Sequence, residues 1–467
     1  MLKKRQNLLN SNHRNRKTIA LTPSFSGDLH ATCENLFWER LDNILDTRHE
    51  LCRLAELIDW EYFEEALGKQ YCPANGRPGI PIRLMVGLTY LEHAFGISDE
   101  EVVRRWVENP YWQYLCGETY FQHDLPISPS SLSRWRKRVG EEGCEAVLAA
   151  TISAGLKSKA VRPASLKRIT VDTTVQPKAI RYPTDARSYD RCRARLVRLA
   201  KQFGVNLRQS YVRLGPRALK QASKYAHARQ FKRAKKEIKK AKTYLGRVYR
   251  DILRKILDDP DLHAEFHEEL ELTERMLAQQ KKDKNKLYSI HAPEVECIAK
   301  GKIHKKYEFG VKVSVASTNR DNFVVGMQAL AGNPFDGHTL SGALEQVSRL
   351  TKIDVERCYV DRGYRGHKIK ETSVYISGQR RGVTPTIRKE LKRRSAVEPI
   401  IGHMKADGKL KRNWLKGVLG DKINALLCGA GHNIRIILRK LRELLSLFLF
   451  LALFSEDGEG ILSSQRI

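Results

Sequence analysis

The 467-residue sequence predicts an α/β core that carries an all-helical N-terminal domain and a helical insertion. Three observations carry that prediction. Residues 166–176, LKRITVDTTVQ, alternate apolar and polar side chains, the period of a strand. Residues 305–330 repeat the alternation on both sides of STNRDN, the pattern of a hairpin. Residues 25–155 and 188–290 instead space their apolar side chains by three and four, the period of helices.

Charge bounds the partners. The chain holds 84 Lys and Arg against 53 Asp and Glu, a formal net charge of +31. Self-repulsion of that size destabilises a compact state unless a polyanion is near. Nucleic acid is the polyanion that phosphate neutralisation favours. A basic membrane-surface protein is the competing reading, but the charge is spread along the whole chain instead of gathering beside an apolar segment. The apolar run LLSLFLFLALF at residues 444–454 is too short for a bilayer, which needs about 20 residues. It reads as a packing or oligomerisation segment or as a tail. The basic N-terminus lacks the apolar stretch of a signal peptide. Nine cysteines stand singly with no CxxC pair. They predict reduced thiols, a cytoplasmic compartment and no zinc cluster.

In chain order, residues 1–24 are polar and basic and read as a flexible arm. Residues 25–155 form a helical block with Pro and Gly between its helices. In its last helix Ser128 suits the N-cap and Pro129 the first helical position. Leu132, Trp135 and Val139 then share one face, and Ser131, Arg134 and Arg138 the other. Such a helix fits a major groove, with Arg reading guanine and Ser touching phosphate. An ordinary basic surface helix gives the same pattern. Residues 156–187 hold the first core strand, in which Ile169, Val171 and Val175 face one way and Asp172 the other. A carboxylate inside such a strand is costly to bury unless it is paired or holds a metal, although a half-solvated sheet would also accept it.

Residues 188–290 read as a helical hairpin. Ala234, Ile238, Ala241, Leu245, Val248 and Ile252 form a seam in one helix, and Leu262, Phe266 and Leu270 continue it in a second. The exposed face of FKRAKKEIKKAK suits a DNA backbone, or is simply solvated. Residues 291–440 complete the core, and 441–467 form an apolar helix end and tail. After the hairpin, LSGALEQVSRL has helical spacing, and DVERCYVDRGYRG is a short strand that ends at Asp361 before a Gly-rich turn. Strand, hairpin strands, helix and strand, with aspartates on the first and fourth strands, is the pattern of a ribonuclease-H-like core.

Neighbouring carboxylates suit Mg²⁺, which prefers oxygen ligands. Two such ions about 3.5–4 Å apart can activate a water or a 3′-hydroxyl and stabilise the leaving oxygen of a phosphodiester. The third carboxylate is sought in RRSAVEPIIGHMKAD, residues 393–407. A helix there would place Arg394, Glu398 and Lys405 on one face, with Glu398 towards the metal and the two cations on phosphate. Ser395 to Glu398 also fits a capping box, and Pro399 warns of a helix start or a kink. Trp414 suits base stacking or a core position.

At these residues the chain resembles bacterial insertion-sequence transposases of the DDE class, in the insertion-sequence-five group. Residues 30–145 resemble the N-terminal domain of that group. TVDTTVQPKAI, GNPFDGHTL, YVDRGYRG, RRSAVEPIIGHMKAD and LKGVLGDKINALLCGAGHN resemble its catalytic blocks. The wider family carries a tyrosine, arginine, glutamate and lysine spaced by two, three and six residues. Arg394, Glu398 and Lys405 fit that pattern, and Leu391 takes the place of the tyrosine. The resemblance implies a metal triad of Asp172, Asp361 and Glu398, with Arg394 and Lys405 on DNA near the scissile phosphate. Asp336, His338 and His403 fall in family-like blocks and are expected to support the site. The expected cofactor is two Mg²⁺ ions, or Mn²⁺. The expected partners are double-stranded DNA, as terminal inverted repeats and target, and further copies of the chain in a dimeric or larger synaptic complex, in a bacterial cytoplasm at the nucleoid. A non-catalytic DNA-binding descendant and a nuclease without strand transfer are the rival readings.

Overall fold

The computed structural model describes residues 39–71, 79–280, 283–299 and 306–462, with side chains described as far as residue 447. The basic arm expected over residues 1–24 lies outside the described residues. The fold is a mixed sheet and helix architecture. Its strands are β1 (Arg168–Pro177), β2 (Glu296–Ala299), β3 (Tyr307–Thr318), β4 (Val324–Leu330), β5 (Arg357–Val360) and β6 (Ser373–Ile376). β3 lies antiparallel to β1 on one edge, and to β4 and β2 on the other. β1 continues in parallel to β5, and β5 to β6. Alternation alone pointed to β1, β3 and β4. β2 and β6 have four residues each, too few for a period to show.

β1 keeps Ile169, Val171 and Val175 buried, and Thr170, Thr174 and Gln176 are buried on its other face. Helices therefore cover both faces, and Asp172 is not on a half-solvated sheet. The helix Ile82–Phe95 is buried nearly all round and packs against the long C-terminal helix Gly417–Leu462. Small residues permit that packing. A Cβ on Gly431 would meet the His93 carbonyl oxygen at 2.5 Å, and one on Gly429 would meet the Met327 side chain at 2.8 Å. Asn433, fully buried between them, accepts from the Val324 N–H and donates to the Val324 carbonyl and the Thr151 hydroxyl. The GAGHN block thus docks the helix on the sheet.

One hydrophobic core runs from Leu51 through the sheet to Leu441. The division expected after residue 155 falls inside it, because the helix Pro129–Lys157 crosses that point and buries Val147, Leu148 and Ile152 in the shared core. A second core belongs to the insertion. There the expected hairpin is instead four helices: Asp185–Gln202, Leu214–His227, Phe231–Ile256 and Pro260–Ala278. The helix Leu214–His227 buries only Gly215, Ala218 and Ala222, so its apolar period was faint in the sequence. Among the described residues, no helix is long and apolar enough to cross a membrane.

Candidate active site

β1 and β5 run parallel, with Thr170 opposite Tyr359. Two residues further on lie Asp172, in the middle of β1, and Asp361, just past the end of β5, so the shared register directs the two carboxylates to neighbouring positions. Asp361 caps the short turn Arg362–Tyr364 by accepting from the Gly363 N–H at 2.8 Å. A Cβ on Gly363 would lie 3.0 Å from one oxygen of Asp361 and 3.1 Å from one of Asp336. Two carboxylates therefore flank one glycine and leave no room for a side chain.

Asp172 has a side chain only 18% exposed. Its Oδ1 accepts from the Thr173 N–H at 2.8 Å, and the Arg394 guanidinium stands 3.5 Å from its Oδ2. Burial, with Asp361 and Asp336 nearby, pushes its carboxyl up to about 6 against the pull of Arg394. Asp336 opens the helix Asp336–Thr351, and its Oδ1 accepts from the Thr173 hydroxyl and from Lys312, each at 3.1 Å. Tyr364 is fully buried beside these aspartates, and its hydroxyl lacks a hydrogen-bond partner. Burial first, and then the charges of Asp172, Asp336 and Asp361, push that phenol far above its usual range.

Glu398 is placed differently from expectation. Arg394, Glu398 and Lys405 do not share one regular helix. Arg394 opens a 3-10 turn, Arg394–Ala396, that joins the helix Pro385–Arg393 to the helix Val397–Ala406. Pro399 is the third residue of that second helix, where its missing N–H has no intrahelical partner to lose. The capping box does not form: the Ser395 hydroxyl donates to the Lys392 carbonyl, and no side chain caps the helix. The Glu398 carboxylate is 71% exposed and lies 4.0 Å from Arg394, which therefore sits between Glu398 and Asp172. Lys405 is half-buried in the last turn.

Among the described residues, no three acidic, His or Cys side chains form a ready ion shell. The donor chemistry still fits a hard divalent cation. Every candidate ligand is a carboxylate oxygen, Asp172 is a poorly solvated carboxylate beside two others, and the orphaned Tyr364 hydroxyl marks a polar space beside the aspartates. Asp172 and Asp361 would hold such an ion, and Glu398, 4.0 Å from Arg394, would have to turn from that arginine to join them.

Asp172 also gives a pH prediction. Its folded pKa lies above the ordinary carboxylate value of about 3.9, so its favourable contribution is complete below about pH 4 and lost as pH rises through about 6. The Asp172→Asn protein should therefore melt above wild type at about pH 8 in chelator, with the gap closing towards about pH 4. Added Mg²⁺ should raise the wild-type midpoint and leave the variant unmoved. Equal midpoints at about pH 8 would sink this reading of Asp172.

The remaining expected residues are scattered. His338 is exposed and edge-on to Phe335 at 5.5 Å, and His403 pairs with Asp407 at 2.8 Å, so neither joins the carboxylates. Leu391 is half-buried on the helix Pro385–Arg393. Trp414 is 70% exposed with Arg412 over its ring at 4.4 Å, which excludes the core position. In the helix Pro129–Lys157, Leu132, Trp135 and Val139 are buried, Arg134 and Arg138 exposed and Ser131 half-exposed. Gly140, at φ 64 and ψ −156, breaks that helix just after Val139 and sets off a short segment packed on the core by one face.

Sequence reasoning missed two residues that place the site. Glu390, on the helix before Arg394, is buried among Arg168, Arg357 and the Tyr359 hydroxyl, and so fixes that helix against β1 and β5. Arg136 turns inward from between Arg134 and Arg138 to pair with Glu92 at 2.9 Å and with Asp99. Nothing in KEL or RWRKR marks either as a buried ion.

Residues 39–138 match a family model described as a transposase domain (DUF772). A Rhizobium meliloti protein, described as "Uncharacterized protein ORF8 in nfe locus", is 55% identical over 197 residues, which is 42% of this chain and 95% of that protein. No solved structure matches.

Proposed function

This chain belongs to one family with the Rhizobium meliloti ORF8 protein and carries a transposase domain, and we propose that it is a DNA transposase of the DDE class, in the insertion-sequence-five group. The observation that carries the reading is the paired register of β1 and β5, which directs Asp172 and Asp361 to neighbouring positions, with Arg394 between Asp172 and Glu398. The strand order supports a ribonuclease-H-like core: three antiparallel strands, β4, β3 and β1, followed by parallel β5 and β6.

In this reading Asp172, Asp361 and Glu398 hold two Mg²⁺ or Mn²⁺ ions. Bound there, the ions would activate a water or a 3′-hydroxyl and stabilise the leaving oxygen. Arg394 and Lys405 bind the phosphate oxygens of the scissile strand. Asp336, held by Lys312 and Thr173, stands beside Asp172 and positions it. The exposed face of the segment with Ser131, Arg134 and Arg138 lies on the terminal inverted repeats, where the arginines reach base edges or phosphates. The ends are cut by water and the freed 3′-hydroxyls attack target DNA, without a covalent protein–DNA intermediate. Two ends must meet, so two or more copies assemble.

The test is strand transfer. The purified chain, Mg²⁺, DNA carrying the element's ends and a plasmid target should give plasmid joined to the 3′ ends. Hydrolysed ends with no joined product would leave a nuclease. Binding without cleavage in Mg²⁺ or Mn²⁺ would leave a DNA-binding protein.

A further inference from the structure

We propose that a groove in the insertion, between residues 208–211 and the helix Phe231–Ile256, binds a single-stranded DNA segment, with arginines on its phosphates and Tyr211 on a base. The groove has a volume of about 460 Å³ and is lined by Arg208, Arg247, Arg250 and Arg254 around Tyr211. Its one acidic side chain is Asp251, so four arginines face one carboxylate, an excess of three positive charges. Asp251 is already committed. Burial alone would raise its pKa, but the Arg208 N–H at 2.9 Å and Lys255 at 3.1 Å hold it below the usual carboxylate range. Arg208 and Arg254 approach Asp251 at 4.0 and 3.5 Å but remain 77% and 63% exposed, so an outside anion can still reach them.

Tyr211 points to the nature of that anion. It is a non-glycine residue at φ 53, in the left-handed region, where an ordinary side chain is strained. Its ring is stacked on Tyr244, with centroids 4.5 Å apart and planes at 13°, and its hydroxyl accepts from Arg247 at 3.2 Å. A rigid aromatic pair set among arginines is the arrangement that stacks unpaired bases and tracks their backbone. The route to the groove is basic as well. Lys232, Lys236 and Lys240 lie at four-residue steps, and Arg247, Arg250 and Arg254 continue the same stripe. From Lys232 to Arg254 that stripe runs about 33 Å at the helical rise. A flat stripe takes a duplex backbone, whereas a groove of this size admits only one or two unpaired nucleotides.

The experiment uses the full chain and fluorescence anisotropy with a labelled oligothymidylate and a duplex of equal length. Replacing both Arg247 and Arg250 with alanine should weaken single-strand binding about tenfold and lower the slope of log K on log salt by about 1.4. Tyr211→Gly, which suits the positive φ, should weaken it by about tenfold through the lost stacking. Duplex affinity should change far less in both variants. Unchanged single-strand affinity overturns the proposal, and so does an equal loss on duplex. Tighter binding of oligouridylate, or full displacement of the strand by inorganic phosphate, also overturns it. The arginines are exposed, so the double variant keeps the test informative if Tyr211→Gly fails to fold. Asp361→Asn should bind the strand as wild type does, which separates this outcome from any result on end cleavage.

Discussion

Asp361→Asn should lower the rate of end cleavage by about a thousandfold or more while leaving folding and DNA affinity unchanged. The substitution removes one negative charge and turns one acceptor oxygen into an amide donor at nearly the same size. The amide oxygen of asparagine can still accept from the Gly363 N–H, so the cap on the turn Arg362–Tyr364 survives. It cannot supply the charge a divalent ion needs, and metal stabilisation of phosphoryl transfer is worth several kcal/mol, which corresponds to about three decades of rate. Glu398→Gln should behave alike, since that side chain is exposed and no described contact of the fold depends on it beyond Arg394 at 4.0 Å. Asp336→Asn should lose less activity, because Lys312 and Thr173 hold that carboxylate at the edge of the site. A gel assay on end-containing DNA, with melting curves and anisotropy on the same samples, checks the set. If Asp361→Asn cleaves like wild type, the triad is wrong.

Arg136→Met should destabilise the fold by about 3–5 kcal/mol, a loss that urea unfolding would read directly. Glu92 and Arg136 are almost fully buried, and Asp99 and Lys409 close the network. Without the guanidinium, Glu92 becomes a buried carboxylate with only Lys409 and His93 beside it. Replacing Glu92 with Gln in the same protein should recover part of the loss, because it removes the most deeply buried unpaired charge and leaves only the more exposed Asp99 and Lys409 without these partners. Arg134→Met, two residues away, should stay within about half a kcal/mol of wild type, since its side chain is exposed. The network also has a functional reading. Arg136 lies on the segment proposed to meet DNA, and Lys409 follows the helix that carries Glu398. A Cβ on Gly96 would meet the Asp407 carbonyl oxygen at 2.6 Å, and Arg435 donates to the carbonyls of His93, Ala94 and Asp407. The N-terminal block and the Glu398 helix are therefore one packed unit. If Arg136→Met unfolds at the wild-type midpoint, the pairing contributes nothing.

Several blocks that the family resemblance singled out turn out to brace the fold. Lys178 of VQPKAI pairs with Asp421 of LGDKIN at 2.9 Å and with Glu294 at 2.8 Å, all buried or nearly so. Gln176 accepts from Asn424 and donates to the Asp421 carbonyl, and the Asn413 amide donates to the Asp421 carboxylate. A polar motif in such a block is as often a satisfied buried network as a catalytic group, and spacing does not tell the two apart.

Local period and local chemistry were legible from residues alone. The alternation around Asp172, the seam from Ala234 to Ile252 and the Ser128–Pro129 helix start depend on neighbours within a turn or a strand, and each appears in the structure where the pattern put it. The short strands β2 and β6, the faint helix Leu214–His227, the inward turn of Arg136 and the anchor Glu390 were not legible. Each depends on a partner outside its own turn or strand, such as β3 for β2, Glu92 for Arg136, 44 residues away, and Tyr359 for Glu390, 31 residues away. The sequence by itself determined the long periodic strands and helices, and that one aspartate lies within a strand and another follows one. Tertiary structure alone decided that those two strands are adjacent and in register, and that Arg394 stands between Asp172 and Glu398. The reason is that backbone period is set within a few residues, whereas the charge around a carboxylate is set by whatever the rest of the chain packs against it.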